Sequence, residues 1–77
     1  MSSTTRRLNG PALRVIRELN GIGLRTFAQR VEIDPGFLTK LETGTRQPSP
    51  AVLMRIAAAL SVPVEVVSYP VLVAVAA

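Results

Sequence analysis

Apolar positions recur at three- and four-residue spacing between Leu13 and Leu60, a period that predicts helices rather than strands. Residues 1–8 are polar and have no period, so they are expected to form a flexible arm carrying Arg6 and Arg7. Asn9-Gly10-Pro11 reads as a helix start, a cap residue followed by proline in the first turn. The first helix is expected from about Pro11 to Leu19, with Leu13, Ile16 and either Leu19 or Val15 facing inward, and Asn20-Gly21 ending it. Gly23 is the expected N-cap of a second helix, Leu24 to about Val31, whose inward residues are Phe27, Ala28 and Val31. After a turn at Glu32-Ile33, Asp34 and Pro35 start a third helix that Gly44 stops. Leu38 and Leu41 fall on its buried side; Gly36, Phe37, Thr39, Lys40 and Thr43 fall outward. Ser49-Pro50 opens a fourth helix striped with Leu53, Ile56, Ala57 and Leu60. Val62-Pro63 opens a short fifth helix to about Ser68, broken by Tyr69-Pro70. Val71–Ala77 is apolar without alternation. The expectation is an all-α, compact five-helix domain over residues 9–69, an arm at 1–8 and an apolar tail at 70–77 that can also be read as a strand.

Two short helices joined by a tight turn and followed by the basic loop Gly44-Thr45-Arg46-Gln47-Pro48-Ser49 have the layout of a helix-turn-helix, whose second helix can enter the major groove of B-DNA. At 77 residues the chain is one domain with one small core. It has no cysteine and no histidine, which removes disulfides, thiolate chemistry, a zinc site of the usual ligands and a histidine-based triad. The five carboxylates are scattered and there is no glycine-rich phosphate loop, so an enzyme is not expected and no cofactor is called for. A net charge of +4 favours a polyanionic partner. Eight of the nine cations are arginines, whose planar forks suit phosphates and guanine edges. Residues 1–7 are not followed by an apolar stretch of the kind a signal peptide needs, and no segment reaches the ~18 apolar residues of a membrane span. A cytoplasmic, nucleoid-associated protein with no membrane partner is expected.

The motifs Leu13-Arg14, Arg17, Gly21-Ile22-Gly23, Phe27-Ala28, Pro35, Leu38-Thr39-Lys40-Leu41-Glu42, Gly44, Arg46, Pro48-Ser49, Leu53, Ile56-Ala57, Ala59-Leu60 and Val62 stand in register over about fifty residues. Together they resemble the Cro/C1-type (XRE-like) helix-turn-helix family of phage and bacterial repressors, over about Leu13 to Val67. The resemblance implies a lambda-repressor-like five-helix domain, bound as a homodimer to double-stranded operator DNA with half-sites about one helical turn apart.

It also implies roles residue by residue. Lys40 matches a base-facing position and can donate to guanine O6 and N7; Thr39 corresponds to a frequent contact, and Thr43 lies beside it. Pro35 and Gly36 stand where relatives often carry Gln or Ser, so Gly36 would instead let the backbone come close to DNA. Phe37 either meets a thymine methyl or sugar edge, or folds back over the core or Arg46. Arg46 and Gln47 lie in the loop the family uses for phosphates; Arg46 could also tie down that loop through carbonyls. Arg25 is placed for the DNA backbone, while Leu24 replaces a phosphate-anchoring Gln. Arg6 and Arg7 would form a basic arm. Arg17 and Glu42 would form a partly buried ion pair, and Glu32 stands where the family often has Gly, so a turn demanding positive φ would strain it.

The tail has three readings. Val71–Val75 could pair with its two-fold mate, as in Cro-like dimers; Ala74-Val75-Ala76-Ala77 resembles the end of the bacterial tmRNA degradation tag, which would bring in a host AAA+ protease; or the tail packs on the domain or stays disordered. For the whole chain the rivals to a repressor are a protein-interaction module of the same fold, such as an antitoxin or a modulator of another factor, and a recombination accessory DNA-binding protein.

Overall fold

A computed structural model of the chain describes residues 2–74. The elements in order are β1 (Ser2–Leu8), α1 (Gly10–Leu19), α2 (Leu24–Arg30), α3 (Pro35–Thr43), α4 (Pro50–Leu60), a single 3-10 turn (Val64–Val66) and β2 (Ser68–Ala74). Val75, Ala76 and Ala77, three of the four residues read as a degradation signal, lie outside the described residues.

Three of the four helices begin where a side chain caps them, while α2 starts after Gly23 without one. The Asn9 side chain accepts from the Ala12 amide at 3.1 Å, Asp34 from Gly36 at 2.8 Å and Phe37 at 3.3 Å, and Ser49 from Val52 at 3.2 Å. Proline follows each of these three caps within the first turn, where its missing N–H costs nothing. The core is aliphatic around one ring: Leu13 of α1, Phe27, Ala28 and Val31 of α2 and its cap, Leu38 and Leu41 of α3, Leu53, Ile56, Ala57 and Leu60 of α4, closed by Leu8 and Val67. Leu19 and Val15 are both exposed, contrary to expectation, because α1 turns the Leu13–Arg17 face inward and buries an arginine there.

The fold departs from the all-α, five-helix expectation. The described residues form four α-helices and a two-stranded antiparallel sheet in which β1 pairs β2 from Ser2↔Ala74 to Leu8↔Ser68. The expected flexible arm is β1, and the expected fifth helix shrinks to one 3-10 turn before β2. Tyr69-Pro70, read as a break, lies inside β2, and hydrogen-bond parity explains how a proline fits there. The Leu8 amide donates to Gln47 Oε1 (2.7 Å) and the Leu8 carbonyl accepts from Gln47 Nε2 (3.4 Å), so both Leu8 backbone groups point away from β2. The Asn9 amide donates to the Val67 carbonyl at 2.7 Å. In an antiparallel ladder inward and outward residues alternate. Residues 67, 69, 71 and 73 therefore face β1, and Ser68, Pro70, Leu72 and Ala74 turn their backbone groups to the free edge. Pro70 lacks only an N–H that the intramolecular ladder never uses.

Two backbone positions carry predictions. A Cβ on Gly10 would run into the carbonyl oxygens of Leu41 and Glu42, so α1 touches the end of α3 backbone to backbone. Gly10→Ala should cost about 2 kcal/mol of unfolding free energy in a urea titration, since neither carbonyl can move without unwinding α3; a neutral effect would show that the contact is loose. Glu32 has φ 60°, the left-handed region that disfavours side chains. Glu32→Gly should raise stability by about 0.5 kcal/mol, the relief exceeding glycine's entropic cost; a lower melting temperature would show that the glutamate is unstrained.

Candidate nucleic-acid interface

α2 and α3 are held at a fixed angle from the sequence upward. Phe27, Ala28 and Val31 pack against Leu38 and Leu41, all buried. The turn between them closes with the Ile33 amide donating to the Ala28 carbonyl at 3.0 Å, while Arg55 Nε from α4 donates to the Val31 carbonyl at 3.0 Å. Asp34 then caps α3, and Gly36 is small where its Cβ would lie 2.8 Å from the Asp34 carboxylate. On the far side, Arg17 grips the end of α3. Its Nε and Nη2 donate to Glu42 Oε2 (2.7 Å) and Oε1 (3.0 Å), a bidentate pair with both side chains under a tenth exposed, and its Nη1 donates to the Ile22 carbonyl at 2.8 Å. The hydrogen bonds from Glu42 raise the Arg17 guanidinium above the usual arginine value against the opposing effect of burial. A cation raised in this way stabilises the fold fully below its unfolded value and loses that only as pH climbs through the folded one, so the contribution persists across the neutral range.

With that face anchored, α3 presents Gly36, Thr39, Lys40 and Thr43 to solvent, an i, i+3, i+4, i+7 stripe. The stripe carries no acid: Asp34 is occupied as a cap and Glu42 is buried. Thr39 Oγ1 donates to the Pro35 carbonyl at 3.2 Å, which leaves its oxygen lone pairs outward. Pro35 is half-buried, and Phe37 is half-buried too, packed against the core; of its two readings, the inward one describes its place.

The loop after α3 is ordered by its own chemistry. Gly44 adopts φ 82°, the left-handed cap that lets the Thr45 and Arg46 amides donate to the Lys40 carbonyl at 2.9 and 3.3 Å. The Thr43 and Thr45 hydroxyls share a 2.7 Å hydrogen bond. Arg46 is thereby exposed one turn beyond Lys40, and Arg25 is exposed in the first turn of α2; neither they nor Lys40 forms a salt bridge among the described residues. Thr45, on the same exposed loop, is the residue that sequence reasoning passed over.

Three assigned residues are placed differently. Gln47 spends its amide on both backbone groups of Leu8, which makes it a clamp between the loop and β1. Arg6 is half-buried on β1, its Nε donating to Ser68 Oγ at 2.8 Å and its Nη2 to the Ser68 carbonyl at 3.3 Å. Arg7 is exposed on β1, opposite Tyr69, and is part of a ribbon rather than a free arm.

A cleft of about 430 Å³ lies between the α1–α2 loop and the end of α4, with Arg30 its one charged lining residue. No α3 residue lines it. Among the described residues there is no cluster of metal-ligating side chains, and no helix is long and apolar enough to cross a membrane.

A family model described as helix-turn-helix matches residues 13–67, from within α1 through the 3-10 turn. The chain belongs to the XRE-type helix-turn-helix family. It is 33% identical over 67 residues to the transcriptional regulator ClgR of Mycobacterium tuberculosis, an alignment covering 87% of this chain and 60% of that protein. It is similar to the crystal structure of the clp gene regulator ClgR from Corynebacterium glutamicum, with a TM-score of 0.70, 36% identity, and coverage of 73% of this chain and 60% of that one. It is also similar to the restriction-modification controller protein C.AhdI from Aeromonas hydrophila, with a TM-score of 0.71, 26% identity, and coverage of 74% and 86%. The chain spans 60% of the length of the two ClgR relatives. In this helix-turn-helix protein α2 and α3 are the paired helices, and α3 with its following loop is the candidate interface.

Proposed function

We propose that this chain is a sequence-specific DNA-binding transcriptional regulator, a repressor of phage or Cro-like type that binds a two-fold operator as a homodimer. The observation that carries the reading is the acid-free stripe Gly36-Thr39-Lys40-Thr43 beside the unpaired Arg46, on a helix of a helix-turn-helix protein. In this reading α3 lies in the major groove. Lys40 donates to guanine O6 or N7, and the outward lone pairs of Thr39 accept from the amino group of adenine or cytosine. Gly36, with Pro35, brings the helix start close to the bases. Arg46 and Arg25 hold phosphates, with Thr43 and Thr45 at the groove edge. Arg7, exposed on β1, is the arginine of the former arm placed to reach the DNA backbone.

A protein-docking role drew its weight from an outward Phe37, and the packing of that ring on the core takes the anchor away. Recognition of Ala74, Val75, Ala76 and Ala77 by a host AAA+ protease remains a proposal supported by their sequence.

The test is a mobility-shift titration of the protein on fragments of its own upstream region against excess unrelated duplex. Selective binding of one fragment is expected. Equal binding to every duplex, or none, overturns the reading and leaves the fold as an interaction module.

A further inference from the structure

The loop that carries Arg46 is tied to the fold on both sides of that residue. Upstream, the Thr45 and Arg46 amides donate to the Lys40 carbonyl at 2.9 and 3.3 Å, so the chain up to Arg46 moves with the end of α3. Downstream, the next residue reaches across to β1. Gln47 Oε1 accepts from the Leu8 amide at 2.7 Å, and Gln47 Nε2 donates to the Leu8 carbonyl at 3.4 Å. Gln47 precedes Pro48, which favours extended backbone at Gln47, and adjacent side chains of an extended stretch point to opposite sides. Gln47 is accordingly half-buried and Arg46 exposed.

Leu8 is a rigid anchor. Its side chain is 3% exposed, it pairs with Ser68 of β2, and the Asn9 amide that follows it donates to the Val67 carbonyl at 2.7 Å. A carboxamide offers a donor and an acceptor side by side, so Gln47 takes up both outward groups of Leu8 as a neighbouring strand would.

We propose that Gln47 is a positioning residue of the DNA interface: its clamp on Leu8 fixes Arg46 relative to the β1–β2 ribbon, and the ribbon thereby sets the phosphate contact of the loop. This deepens the regulator reading above and rests on it. Without the clamp, Arg46 keeps its charge and its tie to Lys40 but loses the fixed point after it, and DNA binding must then order the loop. Gln47 is uncharged, so its removal releases no counterion of its own. A change in salt dependence on removing it comes through a cation that it places, which separates positioning from a clamp that serves stability alone.

Gln47→Met keeps the side-chain length and removes both polar groups; Arg46→Ala and the double variant complete a mutant cycle. Affinities are titrated on the selected operator and on unrelated duplex, at several salt concentrations and at a temperature where circular dichroism shows every chain folded. Gln47→Met should weaken both duplexes alike, about three- to tenfold, and lower the salt slope by part of the roughly one unit expected for Arg46→Ala. In the Arg46→Ala background the same change should alter affinity less than about twofold and leave the slope where it was. In the DNA-free chain, nitrogen-15 relaxation should show the amide of residue 47 dropping from an order parameter of about 0.85 to below about 0.6 in Gln47→Met, with α3 and α4 unchanged. Gln47→Asn, one methylene shorter, takes the place of Gln47→Met should the latter not fold.

Unchanged affinity and slope in Gln47→Met, or a residue 47 that stays ordered, overturn this inference and spare the regulator reading, provided the wild-type chain binds its operator. Equal losses with and without Arg46 overturn it too, because Gln47 would then act on DNA directly or through another cation such as Arg7. A wild-type chain that binds no duplex overturns the regulator reading itself, and this inference with it.

Discussion

Arg17→Met should lower the free energy of unfolding by about 3 kcal/mol. The guanidinium makes three hydrogen bonds, two to Glu42 and one to the Ile22 carbonyl, so its loss strands a carboxylate with 5% side-chain exposure and a carbonyl in the α1–α2 loop. Most of the cost is this desolvated, unpartnered acid rather than the attraction given up. The double variant Arg17→Met, Glu42→Leu should therefore recover the greater part of the loss, because no charge is left behind. Urea titrations of both singles and the double form a mutant cycle that measures the coupling. A single-variant cost below about 0.5 kcal/mol would place the pair in solvent-exchanging surroundings, where such pairs contribute little. The exposed Arg14–Glu18 pair at 3.3 Å is the internal comparison, and Arg14→Ala should change stability by no more than about 0.5 kcal/mol.

The four helices were legible from local signals, three of them from capped, proline-led starts and α2 from the spacing of Phe27, Ala28 and Val31. Asn9, Asp34 and Ser49 with a following proline mark starts, Gly44 marks a stop, and three- and four-residue spacing marks the inward faces. The sheet was legible only in part: the tail could be read as a strand, but for a two-fold mate, and nothing local pointed to residues 2–8 as its partner. β1 is polar without alternation, and β2 reads as a proline-broken apolar run. Their pairing is a contact between residues sixty or more positions apart, as in Arg6 with Ser68, and no window of sequence displays it. Pro70 misled for a specific reason: a proline is excluded from a strand only where its N–H faces a partner, and that parity is a property of the fold.

The missed strand propagated into the site. Gln47 and Arg6 are chemically apt for phosphate, and only the presence of β1 turns the first into a clamp on Leu8 and the second into a cross-strand tie to Ser68. The helical part of the site was more readable. The outward stripe Gly36-Thr39-Lys40-Thr43 follows from helical spacing once Leu38 and Leu41 are set inward. Phe37, between the stripe and the core, has a ring large enough to reach the core from a boundary position, which spacing alone does not resolve.

Lys40 and Arg46 should fail in different ways when removed, and the difference separates base reading from backbone holding. Lys40→Ala should weaken binding to the selected operator about 10- to 100-fold while changing affinity for unrelated duplex far less, since the proposed reading has this exposed lysine of α3 meet base edges. Arg46→Ala should weaken both duplexes alike and lower the slope of log affinity against log salt by about 1, one counterion fewer being released. The two sites are exposed and lie outside the core, so neither change should move the melting temperature by more than a degree or two. Titrations at several salt concentrations on both duplexes give the slopes and the specificity ratio together. Were Lys40→Ala to weaken all duplexes equally and lower the slope, Lys40 would be a phosphate ligand, and the reading of bases would fall to Thr39, Thr43 and the backbone at Gly36. Its outward lone pairs would make Thr39→Val, which keeps the shape and removes the acceptor, the variant that then abolishes selectivity.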